Sequence, residues 1–166
     1  AVKTLRYMVS PYILVIIWCC VLQLSIWKGL LLIIPFSLFR RYTGGYHAKK
    51  EWQCIIISSS LILSFIITAE RISCGVTLFI IVLVGLNVIC IVSPIVSPNK
   101  PLSDMEITRF KKKTILIALG VGTIFSVLFI CGFSKYAKWI GMGALMTLTL
   151  MVPCVGAKVE NNKCKH

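Results

Sequence analysis

Residues 40–54 read RRYTGGYHAKKEWQC and place His47 seven residues ahead of Cys54, between two long apolar runs. A cysteine becomes a nucleophile when a base takes its proton and its surroundings favour the thiolate. His47 is a base of the right type, and Arg40, Arg41, Lys49 and Lys50 are positive charges nearby in sequence that would lower the thiol pKa. The only other histidine is His166 at the tail. Along a straight α-helix seven residues turn ~700° and rise ~10.5 Å, so the two side chains would share a face but stand too far apart for a hydrogen bond. A working pair therefore needs a bend in the chain, and Gly44-Gly45 offers one, because glycine accepts positive φ and close backbone approach. His47 would then lie on a loop folded back over the start of the next apolar segment. Each of these residues also has an ordinary reading. A cysteine in an apolar run packs as a small hydrophobe, a histidine at a basic membrane border serves as a polar anchor, and Gly-Gly makes a turn.

The rest of the chain must hold these residues at a membrane surface. Of its 166 residues 58% are hydrophobic, above the roughly 45–50% usual for a soluble domain. Long stretches nearly free of charge recur, as expected of membrane-spanning helices. The expected fold is all-α, a polytopic transmembrane helical bundle forming a single domain over 1–166. Six apolar segments stand out, at about 7–25, 29–39, 53–69, 74–95, 114–132 and 138–156. Between them lie an Arg40–Trp52 loop, a Glu70–Ser73 turn, a Val96–Lys113 loop and a Ser134–Ala137 turn. The second segment is short: eleven residues cover only ~17 Å of a ~30 Å hydrocarbon core. Pro35 also interrupts its hydrogen bonding. It is expected to be a thin tilted span or a re-entrant segment. The chain begins at Ala1 and enters an apolar run at once, with no cleavable signal pattern, which suggests a shortened start.

The net charge of +13 fits either nucleic-acid binding or the Lys/Arg excess of cytoplasmic loops. The basic residues border apolar runs rather than forming a soluble basic domain, so the membrane reading is preferred and no nucleic acid is expected. With six crossings and the N-terminus inside, only Lys28, Arg71, Lys135 and Lys138 of the 18 basic residues fall outside. With five crossings and the N-terminus outside, the best split is 13 against 5. Either way the Arg40–Trp52 and Val96–Lys113 loops share the cytoplasmic face. The protein is expected in the cell membrane, multi-pass, with lipid as its surroundings. Most of the eight cysteines lie in apolar runs, without metal or disulfide spacing. Neither a metal nor another cofactor is expected.

The second cytoplasmic loop reads SPIVSPNKPLSDMEITRFKKK. Its prolines exclude regular helix up to Pro101. Ser103 and Glu106 then form an S-x-x-E capping box, which predicts a helix carrying Arg109 and Lys111–Lys113 to the membrane surface. That helix is either a structured connector with a basic stop or a docking surface for an acidic partner.

The string LFRRYTGGYHAKKEWQC, an apolar run, PNKPL and a basic stretch before another span together resemble the AgrB family of quorum-sensing membrane endopeptidases. The resemblance covers nearly the whole chain in order and hydropathy. It implies a cysteine endopeptidase that processes a short AgrD-like precursor peptide into a cyclic thiolactone or lactone autoinducer. His47 and Cys54 match the family's catalytic pair, Arg40 and Gly45 match positions needed for activity, and Asn99, Lys100 and Pro101 match its second signature loop. Arg41, Gly44, Lys49 and Lys50 flank these as supporting positions. The resemblance also implies a homodimer. The chain departs from the family pattern in its brief N-terminal segment and at Val96–Pro98, where a more polar or acidic residue is expected. It offers no evident Asp or Asn to orient His47; Glu51 is the nearest acid in sequence.

Two other classes compete. A small peptide transporter could use Gln23 and Asn87 within the spans, but no acidic residue lies deep in a segment to carry protons. Those two side chains are better read as bonds between helices. A non-catalytic membrane scaffold is the third reading.

Overall fold

The computed structural model describes residues 2–43, 51–95 and 103–163, with side chains for 11–43, 56–95, 103 and 105–152. Six helices and no strand occur among the described residues: α1 (Val2–Val21), α2 (Ile26–Thr43), α3 (Glu51–Arg71), α4 (Val76–Val92), α5 (Asp104–Ile130) and α6 (Ser134–Lys163). The all-α expectation holds.

Long-range contacts fix the helix directions. Lys28 at the start of α2 pairs with Glu70 at the end of α3, Nζ to Oε1 3.2 Å. Lys138 Nζ near the start of α6 donates to Ile72 O just after α3 (3.4 Å). These contacts gather the start of α2, the end of α3 and the start of α6 at one end of the bundle. At the opposite end the finish of α2 meets the segment after α4 and the start of α5. Of the described basic side chains, Lys28, Arg71, Lys135 and Lys138 occupy the first end, and Arg40, Arg41, Arg109 and Lys111–Lys113 the second. Charge alone separates these residues into the same two groups.

At the centre is α2. Its buried residues are Gly29, Leu32, Ile33, Pro35, Phe36, Phe39 and Thr43, and Gly29, Leu32, Phe36, Phe39 and Thr43 recur every three or four positions as a stripe that faces the other helices. Two glycines allow the helices to approach. A Cβ on Gly29 would meet Val15 Cγ1 and Cys19 Sγ of α1, and a Cβ on Gly143 of α6 would run into the Leu32 carbonyl. Small residues at such contacts let backbones come close where hydrophobic burial between helices contributes little. Lys28 lies over Trp139 (5.8 Å to the ring centroid) and Leu32 abuts Gly143, so α2 and α6 run parallel.

Several boundaries differ from expectation. The second segment is not eleven residues: α2 runs for 18, through Pro35, and measures ~27 Å at 1.5 Å per residue. The expected Arg40–Trp52 loop starts later than its charge suggests: the Arg40 guanidinium lies 5.7 Å from the Phe36 ring one turn back, and α2 continues to Thr43. Ser134–Ala137 is not a turn but the first turn of α6, because the reversal is completed by Gly132 at φ 81. Gln23 lies outside any helix, at φ 53 in the α1–α2 turn, and Asn87 Nδ2 donates to Leu83 O within α4 (2.8 Å). Among the described residues neither makes the expected bond between helices. The capping box is present: Ser103 Oγ accepts from the Glu106 N–H, and Glu106 Oε2 accepts from the Ser103 N–H (3.1 Å). From it α5 runs unbroken through the basic cluster into the apolar segment.

Among the described residues, Met105–Ile130 is the one helix long and apolar enough to cross a membrane by length and composition; Pro11–Val21 and Val76–Val92 are shorter apolar stretches. Large apolar side chains also cover the outside of the bundle, including Ile91 (76% exposed), Leu116 (71%) and Ile130 (79%).

Candidate active site

Three helix ends form the frame of the site. α2 terminates in Arg40, Arg41, Tyr42 and Thr43, immediately before Gly44. Its last carbonyls have no partner inside the helix. Thr43 O is taken by the Ile95 N–H at 2.9 Å, so the chain leaving α4 hooks onto the end of α2. Two residues earlier, Ser93 Oγ lies 3.2 Å from Thr114 Oγ1 of α5. The Tyr42 ring packs on Phe110 (centroids 6.1 Å), and Lys113 Nζ sits 5.1 Å from the Tyr42 centroid. Lys113 thus covers an aromatic face at this end, a contact worth roughly 0.5–1 kcal/mol where exposed.

Of the expected site residues, Arg40 and Arg41 stand on the last turn of α2, Arg40 half-buried and Arg41 exposed. Cys54 is the fourth residue of α3. Gly44, Gly45, His47, Lys49, Lys50, Asn99, Lys100 and Pro101 lie outside the described residues, as does the side chain of Cys54. What the described residues do bring together are the roots of both signature stretches. Thr43 stands one residue before Gly44 and Ile95 four before Asn99, and the two are hydrogen-bonded to each other.

Sequence reasoning missed Thr43, Ser93 and Thr114, all buried at this end of the bundle. Small hydroxyl residues beside apolar runs carry little signal of their own. The available hint was their clustering at the ends of segments that charge had already placed on one face. Five described cysteines, Cys19, Cys20, Cys74, Cys90 and Cys131, are free thiols.

Neither a curated protein nor a solved structure matches the chain. The family model described as Accessory gene regulator B matches residues 1–152, which includes both signature stretches and all six helices up to the middle of α6. That family is membrane-associated and serves in the processing of AgrD precursors to autoinducing peptides. With a match over nearly its whole length, the chain belongs to the AgrB family.

Proposed function

We propose that the protein is a polytopic membrane cysteine endopeptidase, working as a single domain, that cleaves an AgrD-like precursor and promotes its cyclisation. The observation that carries this reading is that both stretches singled out in the sequence spring from one hydrogen-bonded point, Thr43 O to Ile95 N–H, at the end of the bundle where Arg40, Arg41 and Lys113 gather. Cys54 near the N-terminal end of α3 adds support, since helix dipoles at that end favour a thiolate. The apolar exterior supports the membrane setting, because soluble monomers rarely expose apolar patches beyond a few hundred Å².

In this mechanism His47 takes the Cys54 proton, and the thiolate attacks a backbone carbonyl carbon of the precursor. The C–N bond breaks, His47 returns the proton to the leaving amine, and the C-terminal fragment departs. The N-terminal part remains on Cys54 as a thioester. A thiol within the precursor then attacks that thioester, closing a thiolactone and restoring Cys54; a hydroxyl in its place would give a lactone. Exchange of one thioester for another is close to energy-neutral, so the ring closes without ATP provided water is excluded, which a site at the membrane border favours. Backbone N–H groups at Gly44-Gly45 or the Arg40 side chain would serve the oxyanion. An amphipathic precursor with an acidic tail would be drawn to the basic end of the bundle, at the cytoplasmic face. A homodimer is the assembly this reading carries with it.

Replacing Cys54 by Ser tests the reading. Fragment release should cease while membrane insertion and abundance stay normal. Continued release at the normal rate would refute a Cys54 nucleophile and favour a transporter or scaffold.

A further inference from the structure

We propose that Ser93 and Thr114 are positioning residues for the peptidase: with the Thr43–Ile95 backbone bond, their hydroxyl pair clamps the root of the Asn99–Pro101 stretch against the root of the His47 loop. The inference rests on the peptidase reading above and deepens it.

Of the four buried polar residues among those described, Thr43 (0% exposed), Ser93 (3%) and Thr114 (0%) lie at one end of the bundle, while Thr147 donates to Gly143 O within α6. Burying a hydroxyl is costly without a partner, so each must be satisfied there. Thr43 Oγ1 donates to Phe39 O (3.0 Å) and Thr114 Oγ1 to Phe110 O (3.0 Å), each one turn back in its own helix. A threonine hydroxyl has one proton but two acceptor lone pairs. Thr114 has therefore used its proton, and in the 3.2 Å contact Ser93 donates and Thr114 accepts.

This direction orders the clamp. α5 supplies the fixed acceptor, because Thr114 is held by its own helix. Ser93 closes α4 with its N–H on Ile89 O (3.0 Å), and its side chain docks on α5. Pro94 has no N–H to offer. Ile95 then gives its N–H to Thr43 O, the terminal carbonyl of α2. Three helices are joined within three consecutive residues, 93 to 95. In sequence, Asn99 follows four residues after Ile95, and Gly44 follows directly on Thr43. An apolar pair of the same shape could fill the space equally well, but it could not fix the direction in which the chain leaves.

The test separates positioning from stability. Thr114→Val removes the acceptor and orphans the Ser93 donor, so it lowers thermal stability. The double variant Ser93→Ala/Thr114→Val removes both polar partners, which restores stability close to the parent. Thr114→Ser keeps the acceptor and serves as the conservative control. Each protein is purified in detergent and assayed for fragment release from a synthetic AgrD-type precursor, with Cys54→Ser run alongside. The expected result is parent-like turnover for Thr114→Ser. For the double variant it is near-parent melting with kcat reduced about tenfold or more, the scale of a small misplacement near the reacting groups, and KM within about twofold. If the double variant does not accumulate, Ser93→Ala alone, which leaves the Thr114–Phe110 bond in place, is expected to give the same split. Normal kcat in a stable double variant, or in Ser93→Ala, would overturn the inference while leaving the peptidase reading intact. Fragment release by Cys54→Ser would overturn the peptidase reading and the inference with it.

Discussion

The tight contact between α2 and α6 gives the most decisive test of the bundle. At Gly143 an added Cβ would run into Leu32 O and would also lie 3.1 Å from Leu32 C and 3.4 Å from its Cα, all backbone atoms. Backbone cannot rotate away as the end of a flexible side chain can, so Gly143→Ala must push the two helices apart. Overpacking of this kind costs about 1–3 kcal/mol. Against it stands the usual gain from replacing glycine within a helix, about 0.5–1 kcal/mol. Gly120 of α5 is the matched control, since a Cβ there meets nothing within 4 Å and only the helical gain applies. Both variants keep the helical gain, so Gly143→Ala is expected to unfold more readily than Gly120→Ala by the packing cost alone, about 1–3 kcal/mol. Thermal unfolding or titration with a denaturing detergent in mixed micelles would measure the difference. The separation should also disturb Arg40 to Thr43, because α2 is the strut that carries them. A Gly143→Ala protein as stable as Gly120→Ala would refute the parallel packing of α2 on α6.

Two further expectations follow from single contacts. Ser103→Ala removes the side chain that receives the Glu106 N–H and should cost about 1 kcal/mol, with hydrogen exchange rising in the first turn of α5. The Lys28–Glu70 pair is exposed, so Lys28→Met, Glu70→Gln and the double variant should show a coupling below about 1 kcal/mol that shrinks further with salt; a coupling of several kcal/mol would mean a buried pair.

The parts of this fold legible in sequence are those set by local chemistry. Ser103 and Glu106 announce the start of α5 because a capping box is complete within four residues. The basic residues announce the two ends of the bundle because charge is excluded from apolar packing wherever it falls. The extent of α2 was hidden. Arg40 borders the apolar run and reads as the start of a loop, but its contact with Phe36 lets a charged side chain belong to the helix, as the Lys28–Glu70 pair does at the other end. Gln23 and Asn87 were misplaced for a related reason: polarity indicates that a partner is needed, not whether it lies on another helix. The knot of Thr43, Ser93, Ile95 and Thr114 depends on partners from three helices, and no period in the sequence connects them. As for the site, the string around His47 and Cys54 carries the family, while the seven-residue spacing by itself argues against contact on a straight helix.

The proposed peptidase mechanism places a thioester on Cys54, and intact-protein mass spectrometry reads it directly. An AgrD-type precursor whose ring-forming cysteine is replaced by alanine has no thiol to accept the acyl group. Incubated with the protein in membranes, it should leave Cys54 heavier by the precursor mass minus the released fragment. Hydroxylamine should remove the adduct, and both the adduct and fragment release should be missing in Cys54→Ser. A hydroxylamine-sensitive adduct on another residue, or fragment release that survives Cys54→Ser, would contradict the account.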